Sequence, residues 1–175
     1  MSDYHEIKAE YDAYYKHLLM TGIPLYRDTK LGTWGKAIIE EVHEIFKNIK
    51  LDKYSNFLDL GSGDGCVTLI ASLFTEAYGV ECDKELIDAS VNIRDSLNLN
   101  ANFVHADFNK FDINEFDVIF IHPDKPFHRG LEKIFENYNG MLIVYGEHFL
   151  PTNLKLIKDL RKEKLNAFIY KNLRQ

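Results

Sequence analysis

The sequence predicts an α/β fold in which helices cover both faces of a mostly parallel β-sheet. From Asn56 onward, short apolar runs of strand length alternate with segments of helical periodicity. This alternation is typical of parallel strands joined by right-handed crossovers. The first apolar run also ends in a glycine-rich turn, residues 61–65, with a helical pattern directly behind it. A length of 175 residues and a hydrophobic content of 46% are sufficient for one compact domain with a packed core.

Two helices are predicted before the sheet begins. Residues 4–20 place apolar side chains on one helical face, and the Thr-Gly-Ile-Pro sequence at residues 21–24 ends that helix. Residues 25–32 are predicted to form a loop. Thr33 is in position to cap a second helix, whose apolar stripe runs through residues 38–49.

The sheet is predicted from six short apolar runs. The strands are expected at residues 57–60, 77–81, 102–105, 117–121, 141–145 and 167–170. The helices between them are expected at about residues 64–74, 83–97, 129–138 and 153–164, and Asp83 is a candidate cap for the second of these. Only one strand follows the last predicted helix, so few C-terminal elements remain to cover a substrate. We therefore divide the chain into an N-terminal helical extension, residues 1–32, which is a candidate lid, and a main domain, residues 33–175.

Composition excludes several classes of protein. No apolar run approaches the ~20 residues that a membrane-spanning helix needs, and the first residues lack the basic and apolar regions of a secretory signal. The two cysteines, Cys66 and Cys82, have no metal-ligand spacing and are expected to be free thiols. We therefore expect a cytoplasmic protein that has no membrane segment and binds no metal.

The formal net charge of −6 is distributed unevenly, because the C-terminal segment from Pro151 is basic. Two interpretations remain open: the solvated face of a helix, or a contact patch for nucleic acid or an acidic protein. The acidic total does not favour broad affinity for nucleic acid, which needs many phosphate contacts. The basic residues are Lys155, Lys158, Arg161, Lys162, Lys164, Lys171 and Arg174.

The turn after the first strand carries the most specific pattern in the chain. Asp59 precedes three alternating glycines, Gly61, Gly63 and Gly65. Glycines let backbone amides approach a ligand at a helix N-terminus, and the carboxylate before them favours a ligand with a positive group. The segment Asp59-Leu60-Gly61-Ser62-Gly63-Asp64-Gly65 resembles motif I of the class I, Rossmann-like methyltransferases that depend on S-adenosylmethionine (SAM).

Three further features follow in the order typical of that family, and the resemblance covers about residues 33–150. Glu81, at the end of the second strand, is placed to accept hydrogen bonds from the ribose hydroxyls. After the third strand, the resemblance implies that Asp107 accepts from the adenine amino group and that the amide of Phe108 meets a ring nitrogen. Asp107 could instead cap amides of its own loop. The fourth feature is the strand at residues 117–121 with the loop beyond it.

The resemblance thus implies a SAM site at the carboxyl ends of the strands. A nucleotide such as NAD is the alternative. Three observations oppose NAD: the glycine spacing is Gly-x-Gly-x-Gly, Cys66 stands where the dinucleotide fingerprint has Gly or Ala, and Asp59 would repel a pyrophosphate. The residues expected to bind the cofactor are Asp59, Gly61, Ser62, Gly63, Gly65, Glu81, Cys82, Asp107, Phe108 and His122.

The acceptor is expected to bind at the loop after the fourth strand. Family members that methylate bases or glutamine amides often carry Asn/Asp-Pro-Pro-aromatic there, whereas this chain has His122-Pro123-Asp124-Lys125, with Phe127 as a ring that could stack on the acceptor. We consider two catalytic residues here. His122 is interpreted either as a base, since its unperturbed pKa is about 6.5, or as a structural histidine. Asp124 is placed to steer a cationic acceptor such as lysine.

The acceptor itself stays open between three hypotheses. The compact size and the pairing of the glycine turn with Glu81 are similar to small archaeal protein-lysine methyltransferases and to class I histone-lysine enzymes. In that group a segment before the first helix folds over SAM, and Trp34 lies in the comparable stretch. Residues 130–148 resemble rRNA guanine-N2 methyltransferases. We expect transfer to a protein side-chain nitrogen, with an RNA base nitrogen as the alternative and a small molecule as the third acceptor. A non-catalytic SAM-binding scaffold is an alternative of another class.

Overall fold

Nine strands and five α-helices make up residues 3–172, the part of the chain that the computed structural model describes. The helices are α1 (Tyr4–Met20), α2 (Ile39–Ile49), α3 (Cys66–Ala71), α4 (Lys84–Ser96) and α5 (Leu131–Ile134). The strands are β1 (Tyr26–Asp28), β2 (Thr33–Gly35), β3 (Asn56–Leu60), β4 (Glu76–Glu81), β5 (Ala101–His105), β6 (Val118–Ile121), β7 (Met141–Tyr145), β8 (Leu154–Asp159) and β9 (Ala167–Asn172).

Seven of these strands form one sheet in the order β5-β4-β3-β6-β7-β9-β8. The first five in this order are parallel, and β9 runs antiparallel to both of its neighbours. The predicted class, a mostly parallel sheet flanked by helices, is confirmed. Because β3 pairs with β4 on one side and with β6 on the other, the strand order reverses at β3. The crevice outside the carboxyl ends of strands at such a point is where open α/β sheets bind ligands.

Alternating side chains give the sheet two apolar faces. Phe57, Phe120 and Ile143 lie in one buried cluster, and their neighbours Leu58 and Ile119 lie in the other, as the two-residue period of a strand requires. Helices α1, α2 and α3 cover the first face. The buried residues of α1, spaced to share one side of the helix, are Ile7, Tyr11, Tyr15 and Leu18. Helix α1 therefore belongs to the same core as the sheet.

The five parallel strands were predictable to within one residue at each end, because each is a short apolar run bounded by polar residues. Helix α1 and the cap of α4, where Asp83 accepts from the amides of Glu85 and Leu86, are also confirmed. Helix α3 is shorter than expected. The helix predicted at residues 129–138 contains only the short α5, preceded by a 3-10 turn at Phe127–Arg129.

The prediction for the segment before α2 was wrong. Residues 25–32 are not all loop, since β1 and β2 pair as an antiparallel hairpin. Thr33 does not cap a helix: α2 begins at Ile39, and its N-cap residue Ile38 makes no side-chain hydrogen bond. A three-residue strand has too little sequence for a detectable alternation. We call residues 26–35 the N-terminal hairpin.

The C-terminal helix predicted at residues 153–164 is also absent. Strand β8 and a short 3-10 helix, Leu160–Glu163, occupy this segment, and β8 completes an antiparallel pair with β9. Strand β8 is the edge of the sheet, where most of its side chains are exposed, and a register shift lies between Leu156 and Lys158. Because most side chains of β8 are exposed and a bulge interrupts the strand, its sequence lacks the regular alternation of apolar and polar residues by which strands are recognised.

The basic C-terminal residues therefore lie on a strand pair and its turn, not on a helix. Some are paired: Lys158 with Glu163 at 3.0 Å, and Arg161 with Asp159 at 2.7 Å. Arg174 lies outside the described residues, and partner binding by this segment stays a prediction. Among residues 3–172, no helix combines the length and the apolar character needed to cross a bilayer.

Candidate cofactor and acceptor site

The turn after β3 needs its glycines. Gly61, Gly63 and Gly65 have φ angles of 77°, 54° and 80°, in the left-handed region that side chains disfavour. A Cβ atom on Gly63 would lie 2.1 Å from Cδ1 of Trp34, and one on Gly65 would lie 2.7 Å from Cζ of Phe103. At Gly63 and Gly65 the turn is thus held between β2 and β5 with no room for a methyl group. We call residues 61–65 the glycine loop.

Glu81, at the end of β4, fixes the glycine loop against the next strand. Its side chain is 4% exposed, and its Oε2 atom accepts a hydrogen bond from the Gly63 amide at 3.0 Å. Its Oε1 atom accepts from the amides of Cys82 and Asp83 at 2.7 and 2.9 Å. A carboxylate has about four lone-pair sites, so acceptor capacity remains for a ligand hydroxyl. The neighbouring thiol of Cys82 lies 3.6 Å from the hydroxyl of Thr29 on the N-terminal hairpin.

Asp59 lies below the glycine loop and is buried. Its Oδ2 atom accepts a hydrogen bond from the Thr68 hydroxyl at 2.9 Å, so α3 supplies its partner. Burial raises the pKa of Asp59 to about 7, and the nearby carboxylates of Glu81 and Asp64 act in the same direction.

Two polar side chains of the glycine loop are buried: Asp64 is 3% and Ser62 is 6% exposed. Within residues 3–172, Oγ of Ser62 has no hydrogen-bond partner, whereas the side chains of Tyr15 and Trp34 face the Asp64 carboxylate and act to lower its pKa. Burial raises the pKa of Asp64 to about 6. From the sequence, Ser62 is expected in the cofactor site, whereas Asp64 is expected only as a member of the motif. The sequence feature that could have indicated a role for Asp64 is its position as an acid between two glycines of a ligand-binding turn.

A cavity opens beside these groups, at the carboxyl ends of β3, β4 and β6. Its volume is about 50 Å³, well below the ~300–1,000 Å³ of typical small-molecule sites. The N-terminal hairpin forms its outer wall. The lining residues are Thr29, Leu31, Gly32, Thr33, Trp34, Leu60, Gly61, Glu81, Cys82, Phe108, Ile121, His122, Pro123, Asp124, Lys125 and Leu131.

A second, smaller cavity of about 30 Å³ lies under Trp34. His122 and Gly61 line both cavities, so the two spaces meet at the ends of β3 and β6. The second cavity also reaches Asp59, Ser62 and Asp64. The Trp34 ring therefore both walls the site and packs against the core.

Asp107 does not line either cavity, whereas its neighbour Phe108 lines the larger one. The Asp107 carboxylate accepts from the backbone amide of Asn109 at 2.9 Å and so caps a 3-10 turn. It also accepts from the Asn109 side-chain amide at 2.8 Å, which is the main reason why its pKa is lowered. Of the two interpretations of Asp107, the capping role is the one whose contacts are present. Contact with adenine remains a prediction for both residues.

The segment after β6 brings the predicted catalytic residues to the cavity. The ring of His122 meets that of Tyr145 edge-on, with centroids 4.9 Å apart. Burial by surrounding atoms lowers the pKa of His122, and the nearby Asp124 opposes this effect. His122 as a whole residue is nevertheless exposed. The lowered pKa favours the neutral imidazole at neutral pH.

The same segment holds the N-terminal hairpin in place. Oδ2 of Asp124 accepts from the Thr33 amide at 2.8 Å, and Nζ of Lys125 donates to the Leu31 carbonyl. On the other side of the cavity, Nη1 of Arg27 lies 2.7 Å from Oε2 of Glu85. The hairpin thus spans the cavity and is attached at both sides.

The expectation for Phe127 was wrong. Its side chain is 2% exposed and packs in the core with its ring centroid 6.0 Å from that of Phe135. It is therefore not available to stack on an acceptor. Within residues 3–172, no group of three or more His, Cys, Asp or Glu side chains is arranged to hold a metal ion.

Solved structures of methyltransferases share this fold. An RNA methyltransferase from Salinibacter ruber, in complex with S-adenosyl-L-homocysteine, aligns with a TM-score of 0.59 and 18% identity over 77% of this chain and 90% of that one. A TehB-like SAM-dependent methyltransferase from Corynebacterium glutamicum aligns with a TM-score of 0.58 and 16% identity over 96% of this chain and 98% of that one. Some other neighbours are longer, and the chain spans 51% to 62% of their length.

A search of curated proteins finds no match in sequence. A family model does match: residues 21–125 fit the family described as histone methylation protein DOT1. The matched segment includes the N-terminal hairpin, the glycine loop, Glu81 and the segment after β6. It covers more than half of the chain, and the chain accordingly belongs to the DOT1 family of class I SAM-dependent methyltransferases.

Proposed function

We propose that this protein transfers the methyl group of SAM to the side-chain nitrogen of a lysine in another protein. The observation that carries the proposal is the position of His122. Its neutral, partly exposed ring lies where the cavity beside the glycine loop meets the cavity under Trp34. A proton acceptor at that junction suits an acceptor that must lose a proton before it reacts.

The donor side is built from the glycine loop and the end of β4. Glu81 retains acceptor capacity for the ribose hydroxyls, and Phe108 lines the larger cavity next to it. Asp59, Ser62 and Asp64 lie at the other end, beside the second cavity. When bound, SAM supplies the electrophilic methyl group, and the protein needs only to align the acceptor and receive its proton.

His122 is suited to pass that proton on and not to store it. Free lysine has a pKa of about 10.4, and its ammonium form has no lone pair for attack. An imidazole of lowered pKa holds a proton only weakly at neutral pH, but its exposed surface allows transfer to water. We assign His122 the role of a proton relay between the lysine nitrogen and solvent.

The contacts of the acceptor segment favour lysine over an RNA base. A base acceptor is held by stacking on an aromatic ring. Phe127, the ring expected from the sequence to stack on the acceptor, is buried in the core. The family description, histone methylation, also names a protein acceptor. Asp124 adds a negative charge near the cavity, although one of its oxygens already accepts from Thr33.

The test is a comparison of methyl transfer from radiolabelled SAM to a proteome extract and to total RNA. The control is Gly63→Val, which blocks the glycine loop. We expect label in protein, recovered as methyllysine after hydrolysis, and none with the control. Label confined to RNA would overturn the proposal in favour of a base methyltransferase. Tight SAM binding with no label in either pool would overturn it in favour of a non-catalytic scaffold or a small-molecule acceptor.

A further inference from the structure

We infer that Glu41, on α2, is a positioning residue that fixes the ring of His122 through two neighbours. These neighbours are Tyr145 and Gly146, the residues on which the ring packs at the end of β7. The inference rests on the proposed function only for the reaction that His122 serves. The placement of the ring belongs to the fold, and it can be measured without an acceptor or a cofactor.

Packing, and not hydrogen bonding, orients the His122 ring. The ring meets that of Tyr145 edge-on, and a Cβ atom on Gly146 would lie 3.8 Å from both the Cδ2 and the Nε2 atoms of His122. Within residues 3–172, burial and the charge of Asp124 act on the pKa of His122, with no contribution from a hydrogen bond. The direction in which the imidazole points is therefore set by the surfaces that it packs on.

Glu41 holds both of these surfaces, one with each carboxylate oxygen. Its Oε2 atom accepts a hydrogen bond from the Tyr145 hydroxyl, and its Oε1 atom accepts from the backbone amide of Asn166. The Asn166 carbonyl in turn accepts from the Gly146 amide at 2.8 Å. Burial raises the pKa of Tyr145, so its hydroxyl keeps its proton and stays a donor. One carboxylate thus ties the end of β7 and the start of β9 to α2.

The network joins segments that are distant in the chain. Glu41 is 104 residues from Tyr145 and 125 residues from Asn166. The segment that the family model matches, residues 21–125, contains Glu41 but neither of these partners. Tyr145 is only 5% exposed, and a buried donor that loses its acceptor is unfavourable. Removal of Glu41 therefore forces the end of β7 to rearrange, and the surface under His122 moves with it.

The experiment is ¹⁵N NMR of the histidine side chains, titrated with pH, with the His122 signals assigned by their loss in His122→Gln. In Glu41→Ala we expect the pKa of His122 to rise toward its ordinary value of about 6.5, because a released ring is better solvated. Loss of a negative charge with the ring in place would lower the pKa instead. Glu40→Ala is the matched control: this neighbouring acid pairs with Lys8 at 3.1 Å, and its loss should leave the pKa of His122 unchanged.

Two conservative variants separate position from charge. Glu41→Gln removes the charge but keeps an oxygen for the Asn166 amide and an amide group for the Tyr145 hydroxyl, so the pKa of His122 should stay close to that of the wild type. Tyr145→Phe keeps the ring and breaks one of the two links, so it should give a smaller rise than Glu41→Ala. With the proteome extract and saturating SAM, methyl transfer by Glu41→Ala should be about 10-fold slower, with SAM affinity changed by less than about 2-fold.

An unchanged or lowered pKa of His122 in Glu41→Ala, with folding verified by urea unfolding, would overturn the inference. An equal rise in Glu40→Ala would also overturn it, since any acid on α2 would then have the same effect. If Glu41→Ala does not fold, Tyr145→Phe decides, and a pKa equal to that of the wild type contradicts the role of Glu41. None of these results bears on the lysine proposal, which fails only in the methyl-transfer comparison.

Discussion

The proposed donor half and the proposed acceptor half of the site are built in different ways. The donor half comprises the glycine loop, its buried acids and Glu81, all within residues 59–81, and it is fixed by hydrogen bonds over short sequence distances. The acceptor half joins the segment after β6 to the N-terminal hairpin, and its two contacts bridge 91 and 94 residues. The donor half is therefore encoded locally, whereas the acceptor half exists only in the folded chain.

The largest expected effect is on the donor half, at its contact with Trp34 of the N-terminal hairpin. Gly63→Ala adds a methyl group against the Trp34 ring, 2.1 Å from Cδ1, at a φ of 54°. We expect SAM affinity to fall at least 100-fold by calorimetry, because the loop and Trp34 cannot both keep their positions. Gly22→Ala is the matched control: its φ is 79° and nothing lies within 4 Å of the added carbon. It should cost about 1 kcal/mol of stability and leave SAM affinity unchanged. Equal losses in the two variants would contradict this account.

The next largest effect is expected for a substitution in the acceptor half alone. His122→Ala removes the proposed proton relay, and we expect kcat to fall about 100-fold while the affinity for SAM changes by less than about 3-fold. In the wild type, activity should rise with pH through the lowered pKa of His122, since only the neutral ring accepts a proton. The variant should lose this limb of the profile of kcat against pH. A variant with reduced kcat and an unaltered profile would make His122 a structural residue.

The protonation of Asp59, in the donor half, is expected to make stability depend on pH. The pKa of Asp59 is raised to about 7 in the folded protein, against about 4 in the unfolded chain. The folded state holds the proton between these values and the unfolded state does not, so this contribution to stability falls as the pH rises through that window. We expect Asp59→Asn to remove about 2 kcal/mol of the decline between pH 5 and pH 7. Urea unfolding of the wild type and of Asp59→Asn at several pH values measures this difference. Parallel curves of unfolding free energy against pH would show that Asp59 is charged in the folded protein over the whole range.

The smallest expected effect concerns the attachment of the N-terminal hairpin. Asp124→Ala removes the acceptor of the Thr33 amide, an exposed hydrogen bond that contributes about 0.5–1.5 kcal/mol. We expect the KM for SAM to change about 2- to 10-fold with kcat nearly unchanged. Asp52→Ala, at another exposed acid, is the control. A drop in kcat at constant KM for SAM would instead support the steering role that the sequence suggested for Asp124.

The same contrast explains what could be predicted from sequence. The strand before the glycine loop, the position of Glu81 and the Asp83 cap follow from patterns that span a few residues. The N-terminal hairpin and β8 were not predicted, because a three-residue strand and an exposed edge strand show little alternation of apolar and polar residues. The partners of Asp124 and the burial of Phe127 depend on residues far away in the chain.

The central claim is that the glycine loop and Glu81 together form a SAM site. Calorimetry with SAM on the wild type and on Glu81→Ala tests it most directly, with far-UV circular dichroism to verify folding. We expect binding by the wild type and an affinity at least 10-fold lower in the variant. This loss is expected because three amides lose their acceptor and the ribose hydroxyls lose theirs. A folded variant that binds SAM as tightly as the wild type would contradict the claim.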